Sequence, residues 1–543
     1  MKGAEVEAKI LKAEGVEFVS LFPDQELANA VAGEGIRTIM ARQERVAINI
    51  ADGYSRVSNG RKIGVCSMQP DAGIQNSFAG VAQAYADSSP ILVLPEGTSR
   101  SKYRTFPIVD VYSSYRQVTK WVETIWSVEQ IPELMRRAFT HLRSGRLGPV
   151  LLDLPSDVAR EELEDTKFRY APVQGWKMGP DPRDVEVVVR AILAAKNPVI
   201  LAGQGILYAE AWSELLELAE LLQTPVMTTM CGKSAFPEDH PLALGLATSY
   251  GTKMAGRFLR KTDLLFAAGA SLTDHFLSFP LPIPAGAKVI QLTNDERDIN
   301  KHVAVDYAVM GDAKLVLKAL VEEAEKRGRA KKREDLVKEI GSLKREWLNE
   351  WKPKLDSREA PINPYRILRD LMQTVDRKNT IVTAEAGMSR NSFGPFWEVT
   401  VPRGYVGWGH TTTLGFSLGF AMGAKLAAPE KLVINMMGDG GFGMVGMDFE
   451  TSVREKLPIL TIVSNNSSLS TIGLFPDAYK RYSLGRMGGN YAEIACALGG
   501  WGERVEKPDE VVPAIKRAMK SVQAGKSALL EFITKLETAV SRP

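Results

Sequence analysis

Short apolar runs alternate with longer stretches of helical periodicity along the whole chain of 543 residues. The apolar runs are nearly continuous, which is typical of parallel strands that are buried on both faces of a sheet. Such an alternation of strands and helices predicts α/β architecture. The strands predicted in this way are Ile63–Cys66, Ile91–Leu94, Val150–Leu154, Val199–Ala202, Pro225–Thr229, Leu264–Ala268, Val289–Leu292, Thr380–Thr383, Leu432–Met436 and Leu460–Val463.

Two polar segments divide these strands into three groups. Residues 171–183 are rich in Pro, Gly and polar side chains, which indicates a linker. Residues 325–351 are densely charged, a pattern that favours a solvated connecting helix. We therefore expect three α/β units along the chain.

Composition and charge exclude several classes of protein. Hydrophobic residues make up 45% and charged residues 24% of the chain, which argues against extensive disorder. Lys+Arg (68) and Asp+Glu (65) nearly cancel, so the sequence predicts no nucleic acid and no membrane as partner. No apolar run approaches the roughly 18–20 residues that span a bilayer. The three cysteines are far apart, which indicates neither a disulfide framework nor a zinc site. We expect a cytoplasmic enzyme.

One segment carries polar residues at the ends of two successive strands. An apolar strand leads into Gly438-Asp439-Gly440, a helical stretch follows over about Met447–Lys456, and the next strand leads into an Asn pair at 465 and 466. Parallel strands joined by a crossover helix end at the same edge of a sheet. Asp439 and Asn466 can therefore lie side by side, although 27 positions separate them.

The residue types at this edge suit a divalent cation that bridges a diphosphate. A carboxylate, an amide oxygen, a backbone carbonyl and phosphate oxygens form the hard octahedral shell that Mg²⁺ prefers. The glycines at 438, 440, 441 and 443 let the backbone approach phosphates closely. A glycine-rich turn and an unrelated Asn pair would explain each feature alone, but their spacing favours a metal and diphosphate site.

Further motifs lie along the chain. They are Arg42-Gln43-Glu44, Ala51-Asp52-Gly53-Tyr54, Ala84-Tyr85-Ala86-Asp87-Ser88, Gly148-Pro149-Val150, Gly232-Lys233 followed by Phe236-Pro237-Glu238-Asp239-His240-Pro241, and Gly311-Asp312-Ala313. With the GDG motif and the Asn pair, this ordered set resembles thiamine-diphosphate (ThDP) enzymes, in the branch of acetolactate synthase and pyruvate oxidase. The resemblance covers nearly the full chain.

The resemblance implies a fold of three doubly wound parallel-sheet domains and a set of site residues. The domains are a pyrimidine-binding domain at 1–172, a central Rossmann-like domain at 184–328 and a diphosphate-binding domain at 361–543, with a charged helical linker at 329–360 between the last two. The implied ligands of Mg²⁺ are Asp439, Asn466 and the backbone carbonyl of Ser468. The other implied contacts of ThDP are Glu44, Asn76, Thr412, Leu414, Gly438, Gly440, Gly441 and Met444.

Glu44 is the implied catalytic residue, because it maps onto the glutamate that protonates N1′ of the aminopyrimidine. Taken alone, it would be a surface helix residue, but its place in the matching motif favours catalysis, and a carboxyl group with this task should be buried. Leu414 would support the thiazolium ring, with core packing as the alternative. Since Glu44 and Asp439 belong to different domains, the resemblance implies active sites shared between subunits of a homodimer or homotetramer.

Candidate substrate residues depart from the family pattern. Where acetolactate synthases carry an arginine for the carboxylate of the acceptor, this chain has His275, and a histidine is no permanent bidentate fork. Phe475 replaces a tryptophan that shapes the acceptor pocket. Phe106 and Lys120 match positions near the substrate, and His410 beside the cofactor segment is either an acid/base or a structural residue.

The resemblance implies an acetolactate synthase-like enzyme, which decarboxylates a pyruvate-like 2-oxo acid and transfers the acyl carbanion to a second carbonyl compound. The alternatives are another ThDP-dependent 2-oxo acid decarboxylase, an oxidase or an acyltransferase. A non-enzymatic alternative is a nucleotide-binding regulatory protein. Gly203-Gln204-Gly205 lacks the third glycine of a dinucleotide fingerprint, so the sequence does not favour bound FAD.

Overall fold

The computed structural model describes residues 1–274, 281–328, 330, 332–407, 409–411, 413–469 and 475–543. Within these residues the strands form three sheets, of seven, six and five strands. Every strand pair in them is parallel. The prediction of three parallel-sheet α/β units is confirmed.

The first sheet has the strand order β2-β1-β3-β4-β7-β5, and β6 also pairs with β7. Its strands are β1 (Phe18–Phe22), β2 (Arg37–Met40), β3 (Gly64–Met68), β4 (Ile91–Val93), β5 (Glu96–Gly97), β6 (Trp121–Thr124) and β7 (Val150–Pro155). The helices of this unit are α1 (Gly3–Ala13), α2 (Gln25–Gly33), α3 (Glu44–Val57), α4 (Ala72–Ala86), α5 (Val111–Tyr115), α6 (Ile131–Arg143) and α7 (Ser156–Arg160).

The second sheet has the strand order β10-β9-β8-β11-β12-β13, so the direction of winding reverses between β8 and β11. Its strands are β8 (Pro198–Ala202), β9 (Val226–Thr228), β10 (Ala243–Leu246), β11 (Leu264–Ala268), β12 (Lys288–Thr293) and β13 (Tyr307–Met310). Its helices are α8 (Pro182–Ala194), α9 (Gln204–Tyr208), α10 (Trp212–Leu222), α11 (Lys253–Leu259) and α12 (Ala313–Arg327).

The charged segment after α12 forms helix α13 (Glu334–Leu355). The expectation that this helix is simply solvated is wrong, because one of its faces is buried at Leu336, Ile340 and Trp347. The Trp347 ring stacks on Phe396 of the third unit, with 4.5 Å between ring centroids. The charges occupy the remaining faces, so α13 is an amphipathic element of the core rather than a tether.

The third sheet has the strand order β14-β15-β16-β18-β17. Its strands are β14 (Thr380–Ala384), β15 (Leu432–Gly438), β16 (Leu460–Asn465), β17 (Trp501–Val505) and β18 (Ala528–Ile533). Its helices are α14 (Pro364–Thr374), α15 (Met388–Phe396), α16 (Phe416–Ala427), α17 (Asp439–Val445), α18 (Phe449–Arg454), α19 (Pro476–Tyr482), α20 (Tyr491–Ala497) and α21 (Val511–Gln523).

The first and third units pack against each other through α3 and α16, whose backbones are in direct contact. A Cβ atom added at Gly423 would lie 2.0 Å from the carbonyl oxygen of Ile50, and one at Gly53 would lie 2.2 Å from that of Phe420. Only glycine leaves room for this approach. The close crossing fixes the N-terminus of α3, where Glu44 lies, relative to the third sheet. No helix among the described residues is long and apolar enough to cross a membrane.

Candidate active site

The third sheet brings Asp439 and Asn466 to the same edge, as the strand pattern predicts. Strands β15 and β16 are neighbours, with Gly438 paired to Ser464, and the two polar residues follow directly after the strand ends. The helical stretch predicted over about Met447–Lys456 is confirmed by α18, but a further helix, α17, begins at Asp439 itself and was not predicted. The glycine-rich stretch is helical because it packs on the sheet edge rather than forming an open loop.

Only one of the two oxygens of the buried Asp439 carboxylate accepts a hydrogen bond from the described residues. The side chain is 3% exposed, and its Oδ1 accepts a hydrogen bond from the backbone N–H of Gly440 at 2.9 Å. Its buried Oδ2 accepts none from any residue that the structure describes. Burial raises the pKa of Asp439, although backbone N–H groups nearby act in the opposite direction. A buried carboxylate oxygen without a partner is costly, and a cation would satisfy it.

The two residues of the Asn pair have different roles. Asn465 is structural, because its amide donates to Glu531 on β18 at 2.7 Å and its Oδ1 accepts from the N–H of Ser467 at 3.0 Å. Asn466 is half-buried at the rim, where its Oδ1 accepts from the N–H of Ser468 at 2.9 Å. The hydrogen bonds of the two asparagines therefore hold the turn that follows β16, which is where the sequence predicts the metal site.

The glycines of the GDG segment divide into packed and open positions. A Cβ at Gly440 would meet Leu469 at 2.9 Å, and one at Gly441 would meet Glu385 at 3.0 Å. Gly438 and Gly443, in contrast, have no heavy atom within 4 Å of an added Cβ. The open side next to Asp439 is where a diphosphate and its cation can be received, so the residues present fit that group.

Glu385 is a buried residue of this edge that sequence reasoning missed. It follows β14, and its Oε2 accepts from the N–H of Gly415 at 3.0 Å and from the hydroxyl of Ser417 at 2.9 Å. Burial raises the pKa of Glu385, and these hydrogen bonds act against that rise. Its bonds hold the turn after Leu414 to the sheet. The available signal was an acidic residue immediately after an apolar strand.

Leu414 is half-buried and precedes Gly415, whose φ of +89° starts α16. This left-handed turn favours glycine. Thr412 lies outside the described residues. Met444 is 54% exposed near the end of α17. Both Leu414 and Met444 therefore lie beside the open edge rather than inside the core of this chain.

Glu44 is buried, as its expected task requires. It is the first residue of α3 and is 2% exposed. Its Oε2 accepts a hydrogen bond from the Asn76 amide at 3.3 Å. Gly73 leaves space for the carboxylate, since an added Cβ would lie 3.4 Å from Oε1. The alternative of a surface helix residue is therefore wrong.

The candidate substrate residues differ in their surroundings. Lys120 has a structural role, because its ammonium donates to the carbonyls of His141 and Ser144, at 2.5 and 2.6 Å, near the end of α6. Phe106 is fully exposed in this chain, and Phe475 is half-buried at the start of α19. His275 lies outside the described residues.

Asp87 joins all three units in a buried cluster near His410. Its Oδ2 accepts from Arg56 at 3.0 Å, and its Oδ1 accepts from the backbone N–H of His410 at 3.1 Å and from the thiol of Cys231 at 3.7 Å. Burial acts to raise the pKa of Asp87, but the charge of Arg56 and the contacts of His410 outweigh it and give about 2. Since Arg56 already pairs with this carboxylate as well as with Asp52, we assign the cluster to holding segment 409–411 in place.

A cavity of about 670 Å³ opens where the second sheet reverses its winding. Gln204 and Gly269, which follow β8 and β11, line it together with Arg390 and His410 from the third unit. Open α/β sheets bind ligands at such a reversal. The expectation about FAD stays a prediction.

Three family models of thiamine pyrophosphate enzymes match this chain. They are the N-terminal TPP binding domain at residues 1–118, the central domain at 185–320 and the C-terminal TPP binding domain at 385–532. Probable acetolactate synthase large subunits of Methanococcus aeolicus and Methanocaldococcus jannaschii are each 33% identical to it. These alignments cover 100% and 96% of this chain, and 93% and 90% of the relatives.

More distant matches agree with this picture. Glyoxylate carboligase of Escherichia coli O157:H7 is 28% identical over 89% of this chain and 84% of its own length. Among solved structures, benzoylformate decarboxylase from Polynucleobacter necessarius superposes with a TM-score of 0.82 at 21% identity and covers 99% of both chains. At that identity the likeness shows the fold alone.

Proposed function

Because this chain belongs to the family of thiamine pyrophosphate enzymes, we propose that it is a carboligase of the acetolactate synthase type. It decarboxylates a pyruvate-like 2-oxo acid and transfers the remaining acyl group to a second carbonyl compound. The full-length similarity to acetolactate synthase large subunits supports this reaction class. The observation that carries it is the buried Oδ2 of Asp439 at the rim of the third sheet, which accepts no hydrogen bond from the part of the chain that the structure describes.

Asp439, Asn466 and the carbonyl of Ser468 would hold Mg²⁺, with the diphosphate on the open side of Gly438 and Gly443. Oxygen ligands of this kind suit Mg²⁺, which binds phosphates through one or two carboxylates. Leu414, Thr412 and Met444 would contact the rings of the cofactor. ThDP, when bound, supplies a nucleophilic carbon that adds to the keto group and stores the electrons left by departing CO₂.

The chain's own residues would prepare this chemistry. Glu44 would hold a proton and share it with N1′ of the pyrimidine, which a buried carboxyl group does better than a solvated one. Asn76 would keep the carboxylate in position by its hydrogen bond to Oε2. Glu385 would fix the turn at Gly415 and so the height of Leu414 above the sheet.

We further propose that each site is shared between two copies of the chain. Met444 and Met447 are 54% and 55% exposed beside the open edge, and Phe78 on α4 is 40% exposed. Large apolar side chains exposed at a functional edge are typical of a surface that another subunit covers. In the shared site Glu44 would come from one subunit and Asp439 from its partner.

A panel of 2-oxo acids tests the proposal. We expect CO₂ release and acetolactate formation from pyruvate in the presence of ThDP and Mg²⁺, and neither product without Mg²⁺. Asp439→Ala, purified in parallel, is the matched control for contaminating activity. An enzyme that binds ThDP but releases CO₂ from no 2-oxo acid would contradict the proposal. Acetaldehyde as the sole product would identify a simple decarboxylase instead.

A further inference from the structure

The turn that leads into α3 is held by the third unit of the same chain. The backbone N–H of Arg42 donates to Oδ1 of Asp448 at 2.7 Å. Nη2 of Arg454 on α18 donates to the carbonyl oxygen of Met40 at 2.5 Å. These bonds join the residues two and four positions before Glu44 to α18 and to the residue that precedes it.

Asp448 bonds to the first unit although its position is that of a helix cap. It directly precedes α18, where an aspartate usually accepts a hydrogen bond from a backbone N–H of its own helix. Asp448 forms no such capping bond within α18, which the structure describes in full. Its Oδ1 accepts instead from the Arg42 N–H and from the hydroxyl of Thr451, the latter at 2.9 Å. The side chain is 2% exposed, so it stabilises a buried contact between the two units rather than its own helix.

Two other contacts hold Glu44, but one is distant and the other is long. Helix α3 crosses α16 near Ile50 and Gly53, six and nine residues beyond Glu44. The hydrogen bond from the Asn76 amide to the Glu44 carboxylate measures 3.3 Å, at the long end of the range for such bonds. The residue that precedes α3 is extended, with φ of −150° and ψ of 138°. A shift of Arg42 would therefore move the first turn of α3.

We propose that Asp448 is a positioning residue for Glu44, because its hydrogen bond to the Arg42 N–H fixes the start of α3 and so the Glu44 carboxyl group opposite N1′ of the pyrimidine. The inference rests on the proposed role of Glu44. Misplacement of a reacting group by about 1 Å can cost about a hundredfold in rate. Loss of the bond should therefore weaken the activation of ThDP. The affinity for ThDP should remain, since Asp439 and not Glu44 would hold the diphosphate.

Deuterium exchange of the thiazolium C2 proton in bound ThDP tests this assignment without any substrate. Its rate depends on how well Glu44 activates the pyrimidine ring, and the rate per bound cofactor does not depend on how much of the protein is folded. Asp448→Ala should lower this rate at least tenfold, with an affinity for ThDP within about threefold of the wild type. Asp448→Asn should lie between the two, because an amide oxygen still accepts from the Arg42 N–H but carries no charge.

Glu450→Gln is the matched control. Glu450 lies on α18 and accepts a hydrogen bond at 3.0 Å from Nε of Arg42, the side chain of the same residue, in a partly exposed pair. Such a pair contributes little, so the C2 exchange rate should stay within about twofold of the wild type. An unchanged rate in Asp448→Ala would overturn the assignment.

Amide hydrogen exchange of the protein without ThDP gives a second readout, measured by mass spectrometry over residues 40–46. This segment should exchange at least about tenfold faster in Asp448→Ala, while the central strands of the first sheet stay protected and Glu450→Gln matches the wild type. Equal exchange would overturn the assignment even if the proposed reaction were wrong. A wild type that binds ThDP but releases no CO₂ would count against the proposed reaction alone, since C2 exchange needs no substrate.

Discussion

Asp439 and Asp87 are both buried carboxylates, yet their surroundings set them apart. Asp87 receives hydrogen bonds from Arg56, His410 and Cys231, which belong to three different units. Asp439 keeps one buried oxygen that accepts no hydrogen bond from the described residues, and burial raises its pKa. The hydrogen bonds of Asp87 are those of a structural carboxylate. The buried oxygen of Asp439 is typical of a carboxylate that binds a ligand.

Asp87→Asn should lower the free energy of unfolding at pH 7 by about 2 kcal/mol, because Arg56 keeps its pair with Asp52 but loses one charged hydrogen bond, and the N–H groups of Gly409 and His410 lose a charged acceptor. The pKa of Asp87 in the folded protein, about 2, lies below its ordinary value of 3.8. Its contribution to stability is therefore complete above about pH 4 and is lost as the pH falls through 2. Urea unfolding of both proteins at several pH values measures this difference, which should shrink below pH 4.

The matched control for Asp87 is Asp181→Asn. Asp181 also pairs with an arginine, Arg183, and its pKa is also lowered to about 2, but both side chains are exposed. An exposed, solvent-screened pair contributes little to stability, and asparagine can still cap helix α8, so this change should have a much smaller effect than Asp87→Asn. Equal stability of Asp87→Asn and the wild type at pH 7 would show that the buried cluster does not hold the units together.

At the site, the sequence predicts the residues that follow strand ends and misses those that support them. Asp439 and Asn466 could be placed together because parallel strands end at a common edge. Glu385 has the same relation to β14, but no second motif drew attention to it. Asp448 and Asp87 depend on contacts between units, and sequence periodicity carries no information about which units meet.

Among the elements, the buried strands are the easiest to predict. Nearly continuous apolar runs predicted most of the central strands to within a few residues, because burial on both faces leaves little room for polar side chains, but the interior strands β1 and β18 were not predicted. The helices were harder to predict. Helix α17 was not predicted because its sequence is rich in glycine. The buried face of α13 was not predicted because the segment is densely charged and only three apolar residues form that face.

The crossing of α3 and α16 gives a prediction at the scale of elements. Gly423→Ala should destabilise the protein by several kcal/mol, because its Cβ would collide with the Ile50 carbonyl at 2.0 Å and the backbones must separate. Gly341→Ala on α13 is the control, since only a mobile arginine tip lies within 4 Å of the new Cβ. Alanine there should stabilise by about 0.5–1 kcal/mol. Thermal unfolding measures the stability of both variants. If Gly423→Ala and Gly341→Ala changed the stability by similar amounts, the helices α3 and α16 would not be close-packed at their crossing.

At the scale of the whole molecule, three parallel sheets meet around one cavity and one open edge. Sequence motifs predict the three units, but the number of subunits depends on surfaces that a single chain leaves exposed. Such surfaces carry the exposed side chains of Met444, Met447 and Phe78. A shared active site would cover exposed apolar side chains of this kind, and it can be tested by mixing two inactive variants that complement each other.

Mixing Glu44→Gln with Asp439→Ala under conditions of subunit exchange should restore activity. In a mixed dimer with shared sites, one site carries both changes and the other carries neither. An equal mixture should therefore recover about a quarter of the wild-type activity, since half of the dimers are mixed and half of their sites are intact. Each variant alone is the control. If exchange is demonstrated by mass but no activity returns, both residues act within one subunit.

The most direct test of the account is a calorimetric titration of ThDP into the protein with and without Mg²⁺. We expect saturable binding that requires Mg²⁺ and that Asp439→Ala weakens at least a hundredfold, because the buried carboxylate holds the cation that clamps the diphosphate. Glu44→Gln should bind ThDP within about threefold of the wild type while losing turnover, since its carboxyl group acts on the ring and not on the diphosphate. Binding of ThDP that is indifferent to both Mg²⁺ and Asp439→Ala would contradict the account.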